Sequence, residues 1–152
     1  MKILGDKLIS ECTEYDFKQE LERKKISHWL KSVSAYANSE GGALYYGVDN
    51  EGTVTGLANP QSDSDFISEK INKHLDPIPD WTLTPGEDEQ GHKVLEALIK
   101  PGQFTPYYLV LDGSRQAYVR SGNESVVASS RELLKLVLKG PNSSWDTLPS
   151  RD

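Results

Sequence analysis

Two adjacent glycines, Gly41 and Gly42, separate a stretch with helical period from a short apolar run, and this junction restricts the fold more than any other feature. Upstream, Ile26, Trp29, Leu30, Val33 and Ala37 recur at the i, i+3, i+4, i+7 spacing of an amphipathic helix. Glycine takes the left-handed conformation that closes a helix at almost no cost, while a residue with a Cβ loses roughly 1–2 kcal/mol there. The helix is therefore expected to stop at this pair. Downstream, Ala43 to Val48 is apolar and β-prone, and Asp49-Asn50-Glu51-Gly52 is a turn signal leading into a second strand, Thr53-Val54-Thr55-Gly56.

Around this junction the remaining periods are short. Residues 1 to 14 show none and read as a lead-in. From Tyr15 to Leu21 the chain alternates, so Asp16 and Lys18 share one face of a half-buried strand. Phe66, Ile67, Ile71 and Leu75 mark a second helix, capped by Ser62 or Asp63 and stopped at Asp76-Pro77. Trp81 to Thr84 and His92 to Lys100 read as strands joined by an acidic turn; Leu95, Ala97 and Ile99 oppose Val94 and Leu98, which predicts a central strand. Asp112-Gly113 predicts a hairpin between Tyr107–Leu111 and Gln116–Arg120. Ser129 with Glu132 three residues on is a capping box for a last helix through Leu138. The expectation is an α+β fold, a mixed and largely antiparallel sheet with about three helices packed on it. It forms a single domain over residues 1–140, with a linker-like tail at 141–152 leading to further domains.

A length of 152 residues suits one core. The longest unbroken apolar run, Tyr107 to Leu111, is too short to cross a bilayer, so the expectation is a cytoplasmic protein with no membrane partner. Cys12 is the single cysteine and cannot close an internal disulfide. The net charge of −6 argues against a uniformly basic nucleic-acid coat, yet local placement of charge decides such binding. No Gly-x-x-x-x-Gly-Lys-Ser/Thr loop, Gly-x-Gly-x-x-Gly fingerprint or Gly-x-Ser-x-Gly elbow occurs, so nothing points to ATP as a cofactor. His28, His74 and His92 lie far apart in sequence, against a structural zinc site.

Two constellations remain. Glu11, Asp16 and Asp49 are carboxylates beside or at the ends of predicted strands, with Lys18 next to Asp16 on one face. Hard oxygen donors of this kind suit Mg²⁺ or Mn²⁺, and a lysine beside them can neutralise charge during phosphate cleavage. From composition and spacing alone the same residues read more readily as surface and turn carboxylates, aspartate being favoured at the head of a turn. In the second, Tyr118 and Arg120 stand side by side on a strand, a ring and a guanidinium usable for a base and a phosphate. With Arg23, Lys24, Lys25 and Lys31 they would make a basic patch on an acidic protein. The alternative is a cross-strand aromatic and an arginine paired to an acid.

The segments Glu11–Lys18, Ser34–Gly52, Pro106 and Tyr118–Ser125 together resemble the Schlafen-type, Alba-like DNA-binding domain found at the N-terminus of RecG-like bacterial transcriptional regulators, often labelled divergent AAA-type. The resemblance implies an α+β domain that binds nucleic acid, DNA or RNA, within a larger regulator. For the Schlafen branch it implies a metal-dependent endoribonuclease whose three carboxylates correspond to Glu11, Asp16 and Asp49, with Lys18 in support. Asp16 stands where the family pattern has glutamate. The leading expectation is thus a nucleic-acid-binding domain, with the Mg²⁺- or Mn²⁺-dependent nuclease as one alternative and a protein-interaction or ligand-sensing module as another. The sequence does not fix an oligomeric state, and a homodimer is one assembly it allows.

Overall fold

A computed structural model describes residues 1–140, so the linker-like reading of 141–152 lies outside the described residues. In chain order the elements are β1 (Lys2–Leu4), β2 (Lys7–Ile9), β3 (Tyr15–Lys18), α1 (Ser27–Ala37), β4 (Gly42–Tyr46), α2 (Pro60–His74), β5 (Leu75–Asp76), β6 (Trp81–Glu87), β7 (Lys93–Ile99), β8 (Tyr108–Leu111), β9 (Ser114–Ser121), β10 (Glu124–Val127) and α3 (Ser130–Lys139). The class is α+β, and pairing among these strands is antiparallel except where β3 runs parallel to β4. The strands divide into two four-stranded sheets, ordered β3-β4-β7-β6 and β10-β9-β8-β5, and a β1–β2 hairpin.

Helix α1 lies between the two sheets, against β4 and β7 on one side and β8, β9 and β10 on the other. Eight of its 11 residues are buried, so it is a core element with almost no wet face. Leu30 and Val33 pack with Leu44, Tyr46, Ile67, Ile71 and Ile99, and each buried aliphatic side chain contributes ~1.5–3 kcal/mol. The opposite face of the first sheet has its own smaller core of Ala43, Tyr45, Val48, Val54 and Val94, covered by Leu8 of the β1–β2 hairpin. β7 feeds both cores and is central, between β4 and β6, as its two apolar faces predict.

A helix buried on both sides must satisfy backbone groups as well as fill space. The second sheet meets α1 through two polar side chains one turn apart. Ser34 Oγ donates to Tyr107 O at 2.8 Å and accepts from Tyr118 N at 3.1 Å. Asn38 Nδ2 donates to Tyr107 O at 3.0 Å and Tyr118 O at 2.9 Å, while its Oδ1 accepts from Tyr107 N at 2.7 Å. Both side chains are buried.

The two glycines do more than stop the helix, which already ends at its C-cap Asn38. Gly41 has φ +83°, and a Cβ there would meet Ile99 O at 2.7 Å. Gly42 opens β4, and a Cβ there would enter the Tyr36 ring at 2.5 Å. Glycine at both positions lets β4 pass directly beneath the helix that precedes it.

Several local expectations are corrected. Residues 1–14 contain the β1–β2 hairpin, whose three-residue strands are too short to show a period. The first alternation ends at Lys18, and Leu21 turns in against the main core. Thr53–Gly56 is not a strand but forms isolated bridges, Lys7 with Thr53 and Val48 with Val54. α2 is capped by Asn59, whose side chain accepts from Ser62 N at 3.1 Å, with Pro60 in its first turn. β10 pairs back on β9 through a tight return at Gly122-Asn123, a strand that the sequence does not announce. The capping box of α3 forms as expected, Ser129 and Glu132 each bonding the other's backbone. Among the described residues no helix is long and apolar enough to cross a membrane.

Replacing Asn38 by Ala strands the Tyr107 amide in the interior and takes a donor from the carbonyls of Tyr107 and Tyr118, the former keeping Ser34 Oγ. Chemical denaturation is expected to show a loss of about 3 kcal/mol, since each orphaned buried group costs ~1–3 kcal/mol. A loss below ~1 kcal/mol would mean that Ser34 alone holds the second sheet.

Candidate nucleic-acid interface

β3 and β10 are the outer strands of their sheets, and both contribute to the lining of a cavity of about 530 Å³. Asp16 and Lys18 enter it from β3, His28, Lys31 and Ser32 from α1, Arg120 from β9, and Asn123 to Val126 from the final hairpin. The strand period places Asp16 and Lys18 together, as the sequence predicts, while Tyr15 and Phe17 turn to the other face and pack with Tyr45. The cavity is therefore the gap between two sheet edges, floored by the helix they share.

Arg120 closes one end of this gap. Its Nε donates to Glu14 Oε1 at 3.1 Å and its Nη1 to Ser125 Oγ at 2.9 Å, with the guanidinium 5.0 Å from the Tyr36 ring centre. Ser125 Oγ lies 3.0 Å from Ser32 Oγ, which carries the hydrogen-bonded chain onto α1. The Arg120 side chain is only 7% exposed. Beneath it, burial and then the nearby Asp16 carboxylate raise the Tyr36 phenol above its ordinary range, and burial does the same for Tyr46. Both rings remain neutral, and neither hydroxyl has a hydrogen-bond partner among the described residues.

A second cavity of about 490 Å³ adjoins the first through His28, which lines both. Arg23, Lys24, Lys25, Phe66 and Lys70 surround it. Arg23 is engaged: its Nη2 donates to Asp63 Oδ1 at 2.6 Å and to Ser62 Oγ at 3.1 Å, over the Phe66 ring at 4.7 Å. His28 Nδ1 is 3.1 Å from Glu22 Oε2. By contrast, Lys18, Lys24, Lys25 and Lys31 have no carboxylate within 4.0 Å among the described residues. The two arginines line the cavities but spend their donors on protein; the four lysines do not.

Tyr118 does not line either cavity. It is half-buried against the main core, and its backbone is held by Ser34 and Asn38.

The three carboxylates proposed as metal ligands go to three places. Asp16 lines the inter-sheet gap. Glu11 is exposed and pairs with the Met1 amino group at 3.2 Å. Asp49 caps its own turn, its Oδ1 accepting from Glu51 N and Thr53 N, each at 2.9 Å. Among the described residues no three His, Cys, Asp or Glu side chains are grouped so as to hold a metal ion. The donors present among the described residues do not fit a three-carboxylate Mg²⁺ or Mn²⁺ site.

Sequence reasoning missed Glu14, Glu22, His28, Ser32, Asn123 and Ser125 as members of the site. Glu14 was within reach, because it precedes Asp16 and Lys18 at the strand's own spacing of two. Ser32 and Ser125 carried no signal, since a small hydroxyl fits any surface and only the fold brings the pair together.

The Schlafen, AlbA_2 family description matches residues 11–129. An uncharacterized ATP-binding protein of Ureaplasma parvum serovar 3, UU034, is 27% identical over 77 residues, 48% of this chain and 22% of the relative. The chain thus spans well under two thirds of that relative's length. The matched region begins at Glu11, takes in α1, the glycine junction and both sheets, and ends at the cap of α3: the chain belongs to the Schlafen/AlbA_2 family.

Proposed function

We propose that this domain binds a nucleic-acid strand along the groove formed by the two cavities that meet at His28, as the binding part of a larger bacterial regulator. One observation carries the reading: four lysines with no carboxylate partner among the described residues line two cavities that share His28, on a protein of net charge −6. Phosphate contacts by lysine supply affinity without sequence information, and a locally cationic groove supplies them whatever the total charge. Arg23 and Arg120 act as positioning residues. Arg120 ties β9 and β10 to the lead-in of β3, and Arg23 ties the segment before α1 to α2, so both fix the walls between which the lysines stand. Asp16, Glu22 and Glu124 are acceptors in the same lining and suit the amino edges of bases.

Family membership supports a role with nucleic acid, and the regulator context is our extension of it. The ATP of that relative's name has no counterpart in this reading, because this chain has no phosphate-cradling loop of the Walker kind. A metal-dependent nuclease is not favoured, since its three carboxylates do not come together.

Fluorescence anisotropy with labelled single strands over a salt series tests the reading. The triple variant Lys24→Ala/Lys25→Ala/Lys31→Ala is expected to bind at least ~10-fold more weakly near ~0.1 M salt. Its log–log salt slope should be shallower by about 0.7 for each phosphate that the variant no longer neutralises. Lys2→Ala, on the hairpin covering the smaller core, should change neither. An unchanged slope in the triple variant contradicts the groove. Asp49→Ala should lower stability by ~1–2 kcal/mol through loss of its turn hydrogen bonds and leave the binding isotherm unmoved. A fall in affinity with stability intact would instead give Asp49 a direct role.

A further inference from the structure

The two halves of the groove differ in charge. The inter-sheet gap mixes the cations Lys18, His28, Lys31 and Arg120 with the carboxylates of Asp16, Glu22 and Glu124. The second cavity is lined by Arg23, Lys24, Lys25, His28 and Lys70 with one carboxylate in the lining, Asp112. Asp63, Glu22 and Glu69 pair with Arg23, His28 and Lys70 and leave Lys24 and Lys25 as its uncompensated cations. We propose that the second cavity receives the terminal phosphate monoester of a bound single strand, so that the domain reads a strand end and not only a backbone. This inference rests on the nucleic-acid reading of the groove and adds to it the chemistry of one subsite.

The argument is one of matching charge. An internal phosphodiester carries one negative charge, whereas a terminal monoester carries about −1.5 to −2 near neutral pH and offers three strong acceptor oxygens. A pocket rich in cations gains most from the second charge, while the mixed gap next to it is suited to sugar and base. The second cavity is also partly ordered in advance. Arg23 and Lys70 both lie over the ring of Phe66, at 4.7 Å and 5.1 Å, and their partners Asp63 and Glu69 hold them at 2.6 Å and 2.9 Å. The Lys70 ammonium draws the Glu69 carboxyl below its usual range. Lys24 and Lys25, exposed and unpaired among the described residues, supply the free donors for a phosphate. From His28 the next residue on that face of α1 is Lys31, with Cβ atoms three positions apart lying about 5–6 Å from each other, so one short step leads from the terminal subsite into the gap.

The test compares short single strands of one sequence carrying a 5′-phosphate, a 3′-phosphate or neither, at fixed salt by anisotropy. One phosphorylated end is expected to bind about 10-fold more tightly than the unphosphorylated strand, the scale of one added charge-assisted hydrogen bond. In Lys70→Ala the Kd of that strand should come within about threefold of the unphosphorylated one, because each charge-assisted bond removed takes most of that gain with it. Equal affinity of all three strands, with binding still salt-dependent, overturns the inference and leaves the groove reading standing. A preference that survives both Lys70→Ala and Lys24→Ala places the phosphate elsewhere and overturns it too. Absence of salt-dependent binding by every strand overturns both readings.

Discussion

Asn38 is the residue on which the arrangement of this domain depends. The second sheet has no strand in common with the first, and it is joined to α1 by Asn38 and Ser34 gripping the backbone of Tyr107 and Tyr118. A helix buried on both sides offers no spare backbone donors for this task, so side chains of the right length must do it. Serine and asparagine one turn apart reach two neighbouring strand segments at once. Apolar residues in their place would fill the space and take these partners from the peptide groups of Tyr107 and Tyr118.

The groove follows from that geometry. Two sheets held on opposite sides of one short helix cannot close on each other, and their outer strands β3 and β10 are left facing a gap. Arg120 spans one end of it, joined to Glu14 and Ser125, and its burial makes the ion pair a geometric tie more than a source of stability. The lysines are then left as the cations with donors to offer a ligand. On a chain of net charge −6 this is a separation of charge between faces, not a global bias.

What could be read from the sequence was whatever one segment settles alone. The period of α1, the two-faced apolar pattern of β7, the Asp112-Gly113 hairpin and the Ser129–Glu132 capping box each appear as expected, because local spacing encodes them. The division into two sheets was not legible, since pairing partners far apart in sequence leave no local mark. The β1–β2 hairpin and β10 were missed for a related reason: strands of three or four residues show no period. At the site, the sharing of a face by Asp16 and Lys18 was legible from strand alternation. Of the two readings of Asp49, metal ligand and turn residue, the turn is the one visible in the fold. Folding uses it, as the acceptor that closes the Asp49–Thr53 turn. Likewise only the fold shows which acids Arg23 and Arg120 meet, Asp63 and Glu14, each distant along the chain.

The central claim is that a strand lies along the groove joined at His28. Amide and lysine-ammonium NMR shifts on titration with a short single strand test it most directly. The account predicts that the largest changes fall on Lys18, Lys24, Lys25, His28, Lys31 and Asn123, with little on β6 and the Glu87–Lys93 turn. Changes centred on β6, or on the exposed Leu134 and Leu138 of α3, with the groove lysines unmoved, would contradict it.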